Sequence, residues 1–98
     1  MYIIVQHEVR DYGAWKPVFD EHGVVRRQHG ATGHTVYRSL DDPNDVTIVT
    51  EFPTREQAEA FASDPSLREA MARGGVISEP VITWVEGSET VDYQAKAA

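Results

Sequence analysis

Tyr2-Ile-Ile-Val-Gln-His-Glu-Val9 runs, after one arginine, into Asp11-Tyr-Gly-Ala-Trp-Lys-Pro-Val-Phe-Asp-Glu-His-Gly-Val-Val-Arg-Arg-Gln-His29. The first part is short and rich in β-formers, which predicts a strand. Its alternating faces are Tyr2, Ile4, Gln6, Glu8 and Ile3, Val5, His7, Val9. Both carry apolar residues, as in a central strand covered on both sides. Asp11 is placed to cap a following helix. On a wheel of about 100° per residue, Val18, Phe19, His22, Val25, Arg26 and His29 share one arc. Asp20, Glu21, Arg27 and Gln28 lie opposite. Pro17 cannot sit deep in a regular helix, so the spacing predicts a preliminary turn over 12–16 or a kink there. An unbroken helix would bring Tyr12 and Trp15 onto the apolar arc. Gly30 and Gly33 end the element. A helix that only packed would have little use for His22, Arg26 and His29 on that arc. A helix roofing a ligand pocket would.

The remaining chain completes a familiar order. Thr35 to Leu40 reads as a second strand, Asp41-Asp-Pro-Asn-Asp45 as a turn, and Val46 to Phe52 as a third strand closing a hairpin. Thr54-Arg-Glu-Gln57 fits a capping box that opens a second helix, with Ala58, Phe61 and Ala62 on one face. Asp64-Pro65 restarts a helical turn with Leu67, Ala70 and Met71 inward, and Gly74-Gly75 stops it. Val81 to Val85 is the last strand. Strand, helix, strand, strand, helix, strand is the ferredoxin-like α+β plan, an antiparallel sheet with two helices on one face. Residues 1–87 form this domain, and 88–98 are a polar C-terminal tail. The plan leaves the other sheet face bare, with Tyr2 and Ile4, or Ile3 and Val5, pointing to it. A homodimer through the sheet faces is the expected cover.

Composition narrows the function classes. Ninety-eight residues make one domain with a thin core, which association would help. The formal net charge of −7 and the lack of any basic run argue against nucleic acid and anionic membranes as partners. The chain has no cysteine, so neither disulfides nor thiolate metal sites arise. With no signal-like or membrane-length apolar run, a soluble cytoplasmic protein is the expectation. No phosphate-cradling loop, dinucleotide fingerprint or G-x-S-x-G is present, so no nucleotide or flavin cofactor is indicated.

Y-I-I-V-Q-H, D-Y-x-x-W-K-x-x-F-D-x-H at Asp11 to His22, R-S-L-D-D-P-N-D-V at Arg38 to Val46 and A-E-A-F-A-S-D-P-S-L-R-E-A-M at Ala58 to Met71 together resemble one superfamily. It is the dimeric α/β-barrel superfamily, with the antibiotic biosynthesis monooxygenase-like proteins. The resemblance covers roughly residues 1–87 and implies a dimeric α/β barrel. It implies a range of activities: cofactor-free oxygenation, polyketide cyclisation, haem degradation, lactone isomerisation. Fold does not choose among them. Two departures help. Many such oxygenases and haem degraders end the third strand in tryptophan, where this chain has Phe52. The haem degraders ligate iron through a histidine on the second helix, and residues 54–75 contain none.

The candidate catalytic residues are His22, His7 and Arg26. His22 is mid-helix on the buried arc, placed as a general acid or base, or simply as a hydrogen-bonded core histidine. By analogy with the superfamily, the late part of the first strand lines the pocket. That makes His7 a second candidate base, its alternative being a place at the dimer face. Arg26 would hold a carboxylate, phenolate or enolate, or else snorkel to solvent or pair with an acid. His29 and His34 are expected to be exposed. Trp15, Phe19, Phe52 and Trp84 could wall a flat apolar ligand, with plain core as the alternative. Tyr37 and Arg38 alternate, so one of them faces the pocket. His22 and His29 lie about 10 Å apart along a helix axis, too far to share a metal, and no metal site is expected.

Three readings remain. In the first, a cofactor-independent enzyme takes a planar phenolic, quinonoid or polyketide-like substrate. A histidine removes a proton, Arg26 stabilises the anion, and monooxygenation ranks ahead of cyclisation or isomerisation. In the second, the same pocket binds a small hydrophobic or aromatic ligand without turnover. In the third, a filled core serves only a structural dimer.

Overall fold

A computed structural model describes residues 1–94, with eight regular elements among them. They are β1 (Tyr2–Glu8), α1 (Tyr12–Glu21), α2 (Gly23–Gln28), β2 (Gly33–Arg38), β3 (Asp45–Glu51), α3 (Arg55–Ala62), α4 (Pro65–Gly74) and β4 (Val81–Val85). The strands form one antiparallel sheet in the order β2-β3-β1-β4. Each expected helix is present as two segments, and all four segments belong to the two helical connections of the ferredoxin-like plan. Of the expected tail, residues 95–98 lie outside the described residues.

The sheet has two unlike faces because side chains alternate along each strand. Ile3, Val5 and His7 of β1 are buried under the helices, opposite Thr50, Ile48 and Val46 of β3. Val36 and Ile82 extend that face on either side, through their pairing with Ile48 and Val5. Trp15, Ala58, Phe61 and Ala70 cover it from above. Fully burying a side chain such as Ile3 or Phe52 contributes about 1.5–3 kcal/mol. The opposite face carries Ile4, Val49, Tyr37 and Val81 and has no cover among the described residues. So β1 is central, but a single copy packs only one of its faces.

Local chemistry explains most boundaries. The Asp11 carboxylate accepts from the Gly13 amide at 3.1 Å, and Asn44 Oδ1 accepts from the Tyr12 amide at 2.9 Å. Thr54 Oγ1 accepts from the Gln57 amide at 3.2 Å, as the capping box predicts. Asp64 caps α4 through the Ser66 amide, with Pro65 in the first turn, and Gly75 at φ 80 closes it in the left-handed region. Gly30, at φ 93, closes α2 in the same way.

The break in the first helical connection falls elsewhere than the sequence suggests. Pro17 sits inside a continuous α1. Its missing N–H would have bonded the Gly13 carbonyl, and both residues are exposed, so water can serve that oxygen. The chain turns instead at His22, which ends α1 and begins α2. Tyr12 and Trp15 therefore share the inner arc with Phe19. The second strand also ends sooner than expected, at Arg38, leaving Leu40 fully exposed.

Candidate functional site

The helices do not seal onto the sheet completely. A cavity of about 50 Å³ remains between them. Its floor is Ile3, Val5 and His7 of β1 with Ile48 and Thr50 of β3. Trp15, Val18, Phe19, His22 and Arg26 form one wall, and Phe61, Leu67, Ala70 and Met71 the other. The surface is apolar except at His7, His22, Arg26 and Thr50.

Each of these polar groups has a distinct state. His7 is 2% exposed, and its Nδ1 has no hydrogen-bond partner among the described residues. Burial pushes its pKa below the ordinary imidazole value, with its own backbone carbonyl and then the Asp45 carboxylate only partly opposing. It is a neutral imidazole at pH 7, set edge-on to Trp15 at 5.8 Å between ring centres. His22 is also buried, but its Nε2 lies 2.9 Å from Ser66 Oγ. Burial first and the Arg26 charge second lower its pKa. Ser66 in turn donates its amide to Asp64, whose other oxygen lies 2.8 Å from His29 Nε2. Those bonds, the one to His29 foremost, hold the Asp64 carboxyl down to about 2.

Arg26 is 5% exposed. Its Nη2 donates to the Phe19 carbonyl at 2.8 Å, and its guanidinium carbon lies 3.7 Å from the centre of the Phe19 ring. No carboxylate among the described residues lies within ion-pair distance of it. Burial lowers its pKa to about 10, against the pull of Asp20, so it remains a cation at neutral pH. A buried guanidinium without a counter-ion is costly to fold, and an anionic ligand would offset that cost.

The inner arc of α1 is an aromatic row. Tyr12 and Trp15 lie 5.6 Å apart, Trp15 and Phe19 stack at 4.9 Å, and His34 meets the Phe19 edge at 5.1 Å. Phe19 and Arg26 thus sit at the end of the sheet where His34 pairs with Thr50. His7 pairs with Val46, four residues further along β1 from Ile3, about 13 Å along the strand. His7 and Arg26 stand at opposite ends of one apolar slot.

The structure brings His7, His22, Arg26, Trp15 and Phe19 together around the cavity. It places three other candidates elsewhere. Phe52 is fully buried against Phe61, at 5.6 Å, and it is Phe61 that reaches the cavity. Trp84 is on the inner face opposite Ile3, but on an edge strand, where it borders a separate hollow with Thr54 and Arg55. Tyr37 is 56% exposed on the uncovered face, because the β2–β3 register turns Val36 inward. Arg38 faces inward instead and covers the Tyr12 ring at 3.7 Å. His29 is half-buried through its bond to Asp64. Thr50 and Ser66 escape the sequence reading. Thr50 is detectable as the one polar residue in the Val46, Ile48, Thr50 alternation, whereas the Ser66 contact to His22 is purely tertiary. Among the described residues, no three of His, Asp and Glu converge as a metal site. No helix among them is long and apolar enough to cross a membrane.

No protein-family profile matches the chain, and no curated relative does. Solved structures do match. A structure described as an antibiotic biosynthesis monooxygenase superposes with a TM-score of 0.70 at 12% identity, over 90% of this chain and 98% of that one. SnoaB, a cofactor-independent oxygenase from Streptomyces nogalater, superposes with a TM-score of 0.69 at 13% identity, covering 89% and 93%. Rv0793 from Mycobacterium tuberculosis gives 0.70 at 14%, covering 93% and 97%. The fold is that of the antibiotic biosynthesis monooxygenase-like proteins, and at these identities the likeness establishes the fold alone.

Proposed function

We propose that the protein is a cofactor-independent small-molecule enzyme, monooxygenase-like, acting on a planar phenolic or polyketide-like substrate. One observation carries this reading: a buried, neutral histidine with a free ring nitrogen faces the same apolar slot as a buried arginine with no counter-ion. His7 is the base, since His22 already engages Ser66. The aromatic row of Trp15 and Phe19 flanks the ring system of the substrate. His7 Nδ1 takes an acidic ring C–H proton, and the charge spreads through the conjugated system to an oxygen near Arg26. Fixed charge in a dry site stabilises such an anion strongly. The carbanion then transfers electrons to dissolved oxygen. A ring CH₂ becomes C=O, and the second oxygen atom leaves as water.

The resting cavity is smaller than a polycyclic substrate, so binding must part its walls; the likeness to SnoaB supports oxygen as the co-reactant. The uncovered face with Ile4, Val49, Tyr37 and Val81 supports a homodimer through the sheet faces. The test is aerobic incubation with polycyclic hydroxyarenes, without added cofactor, under ¹⁸O₂. One labelled oxygen per product, lost with His7→Ala in a variant that keeps the native circular dichroism, is expected. Product without label would instead favour cyclisation or isomerisation from the same anion. Binding without any product would leave a non-catalytic ligand carrier.

A further inference from the structure

A second hollow of about 350 Å³ adjoins the first, between α2, the turn at residues 31–33 and the start of β2. Arg26 and Thr50 border both hollows, so the Arg26 side chain forms part of the wall between them. The inner cavity is well below the roughly 300–1,000 Å³ of small-molecule sites, and the outer hollow falls within that range. Asp20, Arg27, Thr32 and His34 complete the outer hollow's polar lining. Its charge is lopsided. Asp20 is already bound by Lys16 at 2.6 Å, while Arg26 and Arg27 have no carboxylate partner among the described residues. Two arginines without an ion-pair partner in one cleft are unexpected in a chain of net charge −7. His34 is exposed at this hollow, and partial desolvation, then the Arg26 and Lys16 charges, lower its pKa, which favours the neutral ring as a hydrogen-bond donor. Arg26 offers five N–H donors and donates one to Phe19. Gly23 borders the guanidinium closely: a Cβ there would stand 3.2 Å from Nη2.

We propose that the two hollows are halves of one substrate site with Arg26 as its movable wall, and that the substrate is a hydroxyarene bearing a carboxylate. The ring system passes Arg26 toward His7, and the carboxylate stays in the outer cleft on Arg26 and Arg27, with Thr32 and His34 as neutral partners. This rests on the reading of the cavity as a substrate site, and extends it to substrate class and entry route.

Calorimetry under argon, with 3-hydroxy-2-naphthoate and 2-naphthol as a matched pair, separates binding from turnover. The naphthoate is expected to bind about ten-fold or more tightly, the worth of a charge-assisted hydrogen bond. That preference should shrink in Arg27→Gln and with added salt, and grow in Asp20→Asn, which frees Lys16. In a Trp84→Phe background the naphthoate should quench Trp15, reporting the ring in the inner cavity. Equal affinities, no naphthoate binding, or a preference unmoved by both variants would overturn the proposal, and so would binding that leaves Trp15 unquenched. Carboxylate preference without oxygen uptake would sustain this site and sink the oxygenase reading. Turnover of neutral hydroxyarenes without preference would do the reverse.

Discussion

His7 and His22 differ in what they have left to give. Both are buried and burial lowers the pKa of both, but His22 Nε2 faces a serine hydroxyl while His7 Nδ1 has no hydrogen-bond partner among the described residues. Ser66→Ala separates them. With His7 as the base, that variant should lose about 1 kcal/mol of stability in urea denaturation and keep turnover within a few-fold. A large fall in turnover with an intact fold would move the role to His22. The pH dependence has a definite sign. A histidine whose pKa lies below the ordinary imidazole value of 6.5 is unprotonated at pH 7. The rate should therefore be flat from pH 7 upward and fall only on the acid side of 6.5; an acid limb centred above 7 would contradict a buried, neutral His7. The same depression means the unfolded chain binds protons more readily, so this histidine's share of stability is present above pH 6.5 and is lost as pH falls. The inward placement of His22 and Arg26 was legible from a helical wheel, because 3.6-residue periodicity is local. The difference in hydrogen bonding between the two histidines was not, because it depends on Ser66, 44 residues away along the chain.

At the level of elements, caps and turns were the most legible features. Thr54, Asp64, Gly30 and Gly75 each act through bonds to residues a few positions away, so their identity alone is informative. Thr54→Ala is expected to lower stability by about 1 kcal/mol, read as a shift in the thermal midpoint with activity retained; an unchanged midpoint would deny the cap its role. The break in the first helical connection was harder to foresee. A proline in a helix is costly where its orphaned carbonyl is buried, and the Gly13 carbonyl is not. The choice between Tyr37 and Arg38 needed the β2–β3 register, which pairs Val36 with Ile48, and no single-strand pattern supplies that. Trp84 has the inward phase that alternation predicts, yet its edge strand carries it away from the slot.

The whole molecule is a half-covered sheet. One face packs against four helical segments and encloses His7 and Arg26. The other presents Ile4 beside Val49, with Tyr37 and Val81 exposed at 56% and 59%. If that face is the homodimer interface, Ile4→Lys should convert the protein to a folded monomer by size-exclusion chromatography with light scattering. An unchanged dimer, or a monomeric parent, would place association elsewhere. The cavity's small volume was beyond the sequence, since it is a remainder after all side chains have packed. Under the proposed function, a substrate must displace part of the wall before meeting His7. Whether His7 then removes its proton is visible directly in the absorbance spectrum of a bound polycyclic hydroxyarene under argon, where no oxidation can follow. The wild-type protein should show the red-shifted anion, and His7→Ala the neutral form at equal occupancy; a neutral ligand in the wild type, or an anion undiminished in His7→Ala, would contradict the assignment of His7 as the base.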